Sequence, residues 1–349
     1  MKIGIITFHW ATNYGAVLQT YALQEYLMML GHEVSIINYK PKHYNLSFGK
    51  IFSNPKYWKR LSTVYKQIKK EASLTKFRDK YLYLTEPYFS ESELKNIMIN
   101  YDVVISGSDQ VLNPSYTLFG EGKPTSAYFL NFEILRTRKI GYAVSFGCHI
   151  YPIDAMNYLS QWINNFDCLS VREASGLNIL AKTYTKSLAC VVPDPTILYG
   201  TRLFDRISIT DGPNQDSPYY FAYLLHGKQV RLEHFPFKVI SEESFTNKSI
   251  EMWLSYIKDS SGVITNSYHG TIMSILMHKP FVVMLESGGN SGMNDRFFTL
   301  LTELGLMDHI VENDDECILV LERPVDWSIV DKRIKDFSLK GEKFLECAL

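Results

Sequence analysis

A cluster of polar residues, "TNSYHGT", lies between an apolar strand-like segment, "GVIT", and an apolar run with helical spacing. In an open α/β sheet, ligands bind beyond the carboxyl ends of strands, where helix N-termini present unpaired N–H groups to anions. Asn266 or Ser267 is suited to cap such a helix, and Gly270 would let the backbone approach a ligand. His269 would then point into the crevice. The competing interpretation is a simple helix cap with a histidine packed at its start.

The first loop of the chain, "FHWATNYGAVLQ", stands at the corresponding position in the N-terminal half. It contains a single glycine, Gly15, so it is not the GxGxxG loop of a dinucleotide site, and without GKS or GKT it is not a P-loop. Asn13, Tyr14 and Gly15 form a polar turn that suits a hydroxyl-rich ligand, with His9 in the same loop. The alternative is an ordinary turn between a strand and a helix.

Two further strand ends carry polar side chains. The segment "VISGSDQVLNP" places Ser108, Asp109 and Gln110 after a strand, and "SVREASG" places Arg172 directly after another. An arginine at such a place suits bidentate binding of a phosphate or a carboxylate. It can equally pair with Glu173 or another acid, so both interpretations stay open.

A glycine-rich loop, "SGGNSGMNDRFF", precedes a helix with Arg296 in its first turn. The helix dipole disfavours a cation at that end. Arg296 therefore requires another reason, such as an anionic ligand or a nearby carboxylate. Asp194, in "PDPT", is interpreted most simply as a residue that fixes a turn between two domains.

Composition limits the classes of protein to which this chain can belong. The 349 residues are too many for one ordinary core and fit two domains, and 46% hydrophobic residues predict a globular chain. A formal net charge of −1 gives no overall attraction to nucleic acid. The five cysteines are scattered and never spaced CxxC, which predicts free thiols in a reducing cytosol and no zinc site.

No membrane-targeting signal is evident in the sequence. The N-terminus enters a strand pattern at once and lacks the charged, apolar and small-residue regions of a signal peptide. No window approaches the roughly 18 apolar residues that suggest a spanning helix. We therefore expect a cytoplasmic protein without a transmembrane segment.

Strand and helix patterns alternate along the chain. Strands are predicted at "KIGIITF", "EVSIINY", "YDVVISG", "KIGYAVSF", "DCLSV", "CVVP", "YYFAYLL", "GVIT" and "FVVML", and "GAVLQTYALQEYLMMLG" predicts a helix that ends near Gly31. This alternation predicts doubly wound α/β domains with parallel sheets. Pro193 and Pro195 mark the boundary, which gives domains at 1–192 and 193–330 and a C-terminal amphipathic helix at 331–349 that packs back on the first domain.

One segment departs from the neutral charge balance. Between Lys50 and Lys80 there are ten basic residues and two acids, interleaved with aromatic residues, within a helical insertion at about 41–80. One interpretation is a solvated helical surface. The other is a surface that rests on anionic lipid headgroups at the inner face of the membrane.

Several motifs, taken in order, resemble one known family. They are "FHWATNYGAVLQTYALQEYL", "VVISGSDQVLNP", "KIGYAVSFG", "LSVREASG", "VVPDPTIL", "VITNSYHGTIMSILMHKPFVV" and "NDRFFTLLTELGL". Their order along most of the chain resembles the polysaccharide pyruvyl transferases. Two features depart from that family: Leu112 stands where a tryptophan usually follows Ser-Asp-Gln, and the stretch from Leu225 to Phe237 is short.

The resemblance implies two Rossmann-like domains that face a central cleft, as in GT-B glycosyltransferases. It implies phosphoenolpyruvate as the donor and a cyclic pyruvate ketal as the product, on a hexose of a bacterial surface polysaccharide or its lipid-linked precursor. The acceptor would bind on the N-terminal side and the donor on the C-terminal side. No metal and no organic cofactor are expected.

The resemblance also assigns residues. It places His269 at the donor, where a histidine with a near-neutral pKa would act as the general acid. Donor contacts are expected from Arg172, Asn266, Ser267, Tyr268, Gly270, Thr271 and Arg296, and acceptor contacts from His9, Asn13, Tyr14, Gly15, Ser108, Asp109 and Gln110. Phosphoenolpyruvate carries a phosphate and a carboxylate, so its site requires arginines and helix N–H groups.

Two other classes of function fit the same sequence. A nucleotide-sugar glycosyltransferase would use the same architecture, but it would bind a nucleotide diphosphate and not phosphoenolpyruvate. A carbohydrate-binding protein without catalysis would release no phosphate from phosphoenolpyruvate with any acceptor.

Overall fold

The computed structural model describes residues 1–41, 44, 61–118, 124–133, 136–186, 188–209, 217–231, 235–244 and 248–349. A six-stranded parallel sheet occupies the N-terminal half, in the order β2-β1-β3-β4-β5-β6. Its strands are β1 (Lys2–Ile6), β2 (Glu33–Ile36), β3 (Val103–Ser106), β4 (Arg138–Val144), β5 (Cys168–Val171) and β6 (Cys190–Val191).

A second parallel sheet, of five strands, occupies the C-terminal half in the order β11-β10-β9-β7-β8. Its strands are β7 (Tyr219–Tyr223), β8 (Lys238–Ser241), β9 (Gly262–Thr265), β10 (Phe281–Met284) and β11 (Ile310–Val311). The sequence patterns did not identify β8 and β11. Both are edge strands, and β11 has only two residues, so neither carries the continuous apolar run of a strand buried on both faces.

Helices connect the strands of both sheets. The α-helices are α1 (Tyr14–Met29), α2 (Leu61–Tyr81), α3 (Glu91–Met98), α4 (Pro114–Thr117), α5 (Met156–Trp162), α6 (Ala174–Leu180), α7 (Pro195–Tyr199), α8 (Ile250–Asp259), α9 (Tyr268–Leu276), α10 (Asp295–Leu304), α11 (Asp314–Leu321) and α12 (Trp327–Ala348). Short 3-10 helices lie at Ala127–Phe129, Ile153–Ala155, Ile163–Asn165, Gly200–Phe204, Glu242–Ser244, Gly288–Asn294 and Met307–His309. None of the helices in these ranges is both long and apolar enough to cross a bilayer.

Helix α1 lies at the centre of the molecule. The Asn13 side chain accepts hydrogen bonds from the N–H groups of Gly15 and Ala16 and so fixes the first turn. Nearly every residue of the helix is buried, because one side covers the first sheet and another packs on α7. Tyr14 stacks on Trp253 of the C-terminal half, with ring centroids 5.2 Å apart. The apolar core is therefore continuous from one sheet to the other.

The predicted boundary at 192–193 falls between β6 and α7, at the point where the chain leaves the first sheet. Helix α12 begins at Trp327, four residues before the predicted start of the C-terminal helix. It contacts both halves: the Phe344 ring lies 6.1 Å from that of Tyr142 in β4, and the Ser338 hydroxyl donates to the carbonyl of Ile197.

The basic segment is described only in part, since residues 45–60 lie outside the described ranges. From Leu61 onward it forms α2, which contacts the C-terminal half. Lys66 pairs with Glu243 at 3.2 Å, and Lys70 pairs with Glu242 at 2.8 Å. Some of the positive charge of this segment therefore serves to connect the two halves of the molecule.

Candidate active site

A cavity of about 280 Å³, the cleft cavity, lies where the two sheets face each other. The carboxyl ends of β1 and β3 contribute residues from one side, and the loops after β7, β9 and β10 contribute from the other. The lining residues are Phe8, Trp10, Ala11, Thr12, Asn13, Ala16, Tyr44, Asp109, Gln110, Tyr116, Leu225, His226, Ser267, Tyr268, His269, Met293 and Arg296.

His269 lies in the first turn of α9, directly after β9. The hydroxyl of Ser267 accepts a hydrogen bond from the N–H of Gly270 and caps the helix, so the imidazole is held at the end of the strand. The histidine is only 6% exposed. A Cβ atom on Gly15 would lie 2.1 Å from Nδ1 of His269, so only glycine at the start of α1 leaves room for this ring.

Asp194 holds the groups behind His269 together. Its Oδ2 atom accepts hydrogen bonds from the Ser108 hydroxyl at 3.0 Å and from Nη1 of Arg172 at 2.9 Å. Nε2 of His269 lies 3.5 Å from the same oxygen, within ion-pair distance but without hydrogen-bond geometry. Burial opposes ionisation of Asp194, but the charges of His269 and Arg172 outweigh it, and the pKa of this carboxyl lies well below its usual range.

Arg172 lies behind the cavity and is not among the groups that line it. Its side chain has no exposed surface and is paired with Asp194 at 2.9 Å and with Asp109 at 3.4 Å. Although burial opposes its charge, these two carboxylates raise the pKa of Arg172 above its ordinary value. Its guanidinium also lies 4.6 Å from the centre of the Tyr268 ring. Of the two interpretations that the sequence left open, the structure displays the pairing with acids.

Arg296 occupies the cavity side of Tyr268, with its guanidinium 5.5 Å from the ring centre. It forms no ion pair with any residue in the described ranges, and its Nε atom is buried without a hydrogen-bond partner. Burial and the nearby Arg172 cation lower the pKa of Arg296. A partly buried cation without a partner at the rim of a cavity is available to an anionic ligand.

Asp109 is held in a strained backbone conformation. Its φ angle of 79° lies in the left-handed region, which costs energy for any residue except glycine. The carbonyl of Asp109 accepts from the N–H of Ser145, and its carboxylate reaches Arg172. Beside it, the amide of Gln110 lines the cavity and lies 3.7 Å from the sulfur of Met293 across the cleft.

The predicted acceptor residues of the first loop have different positions. Asn13 caps α1 and lines the cavity. Tyr14 lies between the domains, where its hydroxyl donates to Glu242 and Lys70 lies 3.9 Å from its ring centre. His9 is 1% exposed and does not line the cavity.

The imidazole of His9 is held inside the N-terminal half. It lies 3.2 Å from the carbonyl of Thr7 and 3.1 Å from the amide oxygen of Asn38. Burial lowers the pKa of His9 to about 4. His9 is therefore a structural residue of the N-terminal half and does not face the cavity.

Several predicted donor residues support the loops around α9. The Asn266 amide binds both the N–H and the carbonyl of Leu225, and so fixes the loop after β7. The Thr271 hydroxyl donates to the carbonyl of Ser267 within the helix. A Cβ atom on Gly270 would lie 2.8 Å from the Thr265 hydroxyl, so glycine allows the helix to start close to β9.

Sequence reasoning missed one side of the cavity. Phe8, Trp10, Tyr44 and Tyr116 line it with aromatic rings. His226, which also lines it, is paired with Glu286 at 2.9 Å. The sequence indicated only two of these rings, through "FHW" at the end of the first strand. Tyr44 and Tyr116 are distant from them in the chain. Leu112, at the family's usual tryptophan position, is fully buried in the core and does not reach the cavity.

No three His, Cys, Asp or Glu side chains in the described ranges lie together as a metal ion would require. The groups that converge on the cavity are instead a cation, a buried histidine and a helix N-terminus. This set favours an anionic ligand and a proton transfer beside it.

Comparison with known structures identifies similar folds. Arabidopsis thaliana UGT89C1 with UDP-L-rhamnose is 10% identical, with a TM-score of 0.52 over 100% of this chain and 99% of that one. The same protein with UDP is 11% identical, with a TM-score of 0.50 over 100% of both chains. UDP-GlcNAc 2-epimerase of Methanocaldococcus jannaschii is 10% identical, with a TM-score of 0.44 over 97% and 93%. A search of curated proteins found no match.

The predicted fold class is confirmed: two Rossmann-like parallel-sheet domains face a cleft in a GT-B-like arrangement. At such low identity the structural likeness extends to the fold alone. The sequence model of the polysaccharide pyruvyl transferases matches residues 13–288, which include the helix starts on both sides of the cleft cavity. The chain therefore belongs to the polysaccharide pyruvyl transferase family.

Proposed function

We propose that the protein transfers pyruvate from phosphoenolpyruvate to a hexose of a surface polysaccharide or its lipid-linked precursor, with release of phosphate. The observation that carries this proposal is Arg296, a cation that pairs with no acid of the described ranges and lines the same cavity as the N-terminus of α9. An anion in that cavity would give Arg296 the charged partner that no described residue supplies. Family membership gives the chemistry, a pyruvyl donor and a saccharide acceptor.

In this proposal Arg296 and the N–H groups at the start of α9 hold the phosphate and carboxylate of the donor. His269 donates a proton to carbon 3 of phosphoenolpyruvate, so that its methylene becomes a methyl group. A first sugar hydroxyl bonds to carbon 2, phosphate leaves with the electrons of its C–O bond, and a second hydroxyl bonds to the same carbon. The two sugar hydroxyls release two protons. One replaces the proton that His269 gave to carbon 3, and the other goes to the departing phosphate.

The residues behind the cavity position the proton donor. Asp194 remains ionised 3.5 Å from Nε2 of His269, and Arg172 holds the carboxylate in place. Arg172 is thus a positioning residue in this scheme, and Arg296 is the phosphate ligand. No metal and no organic cofactor take part.

Donor binding is tested by calorimetric titration with phosphoenolpyruvate and, separately, with UDP. We expect the wild type to bind phosphoenolpyruvate, and Arg296→Ala to weaken that binding by about tenfold or more, because a charge-assisted contact contributes roughly 1.5–3 kcal/mol. Arg323→Ala is the matched control, since Arg323 pairs with Asp308 on the surface away from the cavity. Binding of UDP but not of phosphoenolpyruvate would instead support a nucleotide-sugar transferase.

Turnover is tested by phosphate release and by the mass increase of a hexoside acceptor, in buffer with EDTA. We expect His269→Asn to bind phosphoenolpyruvate normally but to turn over at least about 100-fold more slowly, as for a lost general acid. Near-normal turnover of this variant would remove His269 from the proton transfer. Loss of wild-type activity in EDTA would contradict a metal-free reaction.

We also propose that the basic segment brings the enzyme to membrane-bound acceptor. Lys69, Lys76 and Lys80 of α2 are exposed and form no ion pair with a residue in the described ranges. They are spaced by seven and four residues, so they share one face of the helix.

A further inference from the structure

We propose that Phe8, Trp10, Tyr44 and Tyr116, the aromatic wall, form a subsite for the apolar face of one pyranose ring of the acceptor. This inference rests on the proposed function, because it gives the acceptor a place opposite the donor. All four rings line the cleft cavity on its N-terminal side.

The rings of the aromatic wall form one connected group. The ring centre of Phe8 lies 5.5 Å from that of Trp10 and 5.9 Å from that of Tyr116. Trp10 in turn lies 4.7 Å from Tyr44, with an angle of 35° between the ring planes. Phe8 is tilted by 56° to Trp10 and meets Tyr116 edge to face at 86°, so the rings form a connected aromatic side of the cavity that is not one flat surface.

Polar contacts at the ring edges hold the wall in place. The indole N–H of Trp10 donates to the Tyr128 hydroxyl at 3.2 Å, and the Tyr44 hydroxyl donates to the carbonyl of Tyr116 at 3.0 Å. Tyr116 is still 40% exposed, which leaves apolar ring surface that a ligand can cover. Rigid aromatic surface that faces a cavity costs little conformational entropy when a ligand covers it.

The chemistry of the cavity walls favours a sugar over other apolar ligands. A pyranose has a C–H face that suits aromatic rings and hydroxyl groups at its edge that require hydrogen bonds. Asn13, Asp109 and Gln110 lie next to the aromatic wall and offer polar groups to that edge. His269 and Arg296 line the opposite side, where the donor is proposed to bind. A ring held on the aromatic wall would therefore present its edge hydroxyls toward the donor.

The size of the cavity limits the occupant to a short segment of the acceptor. A volume of about 280 Å³ lies just below the usual range for small-molecule sites, which begins at about 300 Å³. It suits one sugar ring beside the donor and excludes a long oligosaccharide within the cavity.

The test measures saccharide binding separately from turnover. Saturation-transfer NMR with methyl glycosides of glucose, galactose, mannose and their 2-acetamido derivatives reports which C–H protons of a sugar contact the protein. We expect at least one glycoside to bind the wild type with saturation concentrated on one C–H face, and Trp10→Ala and Tyr116→Ala to bind it about tenfold more weakly. Trp10→Phe keeps an aromatic ring and should recover most of the affinity. Tyr83→Ala, which removes an exposed tyrosine outside the cavity, should bind as the wild type does.

The outcomes separate this inference from the proposed function. If ketal forms but the acceptor KM is unchanged in Trp10→Ala and Tyr116→Ala, the aromatic wall is not the subsite and the proposed function stands. If the sugar binds through the wall but no ketal forms from phosphoenolpyruvate, the subsite stands and the proposed function fails. If no glycoside of the panel binds the wild type, the subsite is rejected.

Discussion

At the scale of single residues, Asp194 connects the polar groups of the two domains. Its carboxylate is fully buried and contacts Ser108, Arg172 and His269, while its other oxygen accepts from the N–H and hydroxyl of Thr196. The residue therefore has two roles: it fixes the turn at the domain junction, as its sequence context indicated, and it compensates the buried charge of Arg172 beside His269.

We predict that Asp194→Asn lowers the free energy of unfolding by about 3 kcal/mol, because the buried charge of Arg172 then keeps only its longer contact with Asp109, at 3.4 Å. Urea unfolding at pH 7 measures the effect. Asp308→Asn, which alters an exposed ion pair, should change stability by less than about 1 kcal/mol. An Asp194→Asn protein as stable as the wild type would show that the carboxylate charge is not required.

The pH dependence of this difference follows from the lowered pKa of Asp194. The folded pKa lies below the ordinary aspartate value of 3.8, so the stabilising contribution of the charge is complete above that value. It is lost as the pH falls below 3.8 toward the folded pKa. The difference between wild type and Asp194→Asn should be constant from pH 7 to pH 5 and should shrink below pH 4.

His9 gives a second prediction in a different pH range. Burial lowers its pKa from 6.5 to about 4, so the unfolded chain binds a proton at His9 that the folded chain excludes as the pH falls below 6.5. Stability should therefore fall by about 2 kcal/mol between pH 7 and pH 5 through this residue alone. His9→Gln should remove that part of the slope in urea unfolding. An identical slope in both proteins would show that folding does not lower the pKa of His9.

At the scale of elements, the start of α1 packs against the start of α9. We predict that Gly15→Ala reduces turnover by at least about tenfold, because a Cβ atom would lie 2.1–2.5 Å from three atoms of His269 and must displace the ring or the helix. Phosphoenolpyruvate affinity and turnover rate are measured on the same variant. We expect the turnover rate to fall by a larger factor than the affinity.

The opposite end of the same helix supplies the control. Gly31 has a φ angle of 85° and no heavy atom within 4 Å of an added Cβ. Gly31→Ala should cost about 1 kcal/mol of stability through backbone strain and leave turnover unchanged. Equal activity losses in the two variants would point to a general weakening of α1 and not to its contact with His269.

At the scale of the whole molecule, α2 connects the halves through two of its lysines and presents others to solvent. We predict that Lys69→Glu, Lys76→Glu and Lys80→Glu together weaken binding to vesicles with anionic lipid by roughly 100-fold, since each lysine near the surface contributes about 1 kcal/mol. Lys66 and Lys70 are unsuitable for this test because they pair with Glu243 and Glu242.

Cosedimentation with vesicles of phosphatidylglycerol and phosphatidylcholine, compared with phosphatidylcholine alone, measures this binding. The control carries the same charge change on α12, at Lys332, Lys335 and Lys343, which are exposed. If the α2 variant sediments with anionic vesicles as the wild type does, the helix does not bind the membrane.

The sequence determined the order and type of most elements, because strand and helix patterns depend on neighbours within a few residues. It also indicated the cap before α9 and the glycine near the end of α1, for the same reason. The short edge strands escaped detection, since the pairing that creates them comes from the rest of the sheet. Motifs in order along the chain indicated the family, and the family model confirms it.

Only the tertiary structure decided which charged groups meet. Arg172 follows a strand and Arg296 lies in the first turn of a helix. The first is enclosed by two carboxylates, and the second lines the cavity without an ion-pair partner in the described ranges. The partners of its Oδ2 atom lie far from Asp194 in the chain, as Ser108 does, 86 residues away. Electrostatic compensation acts through space and depends on burial, so no local pattern could have assigned these roles.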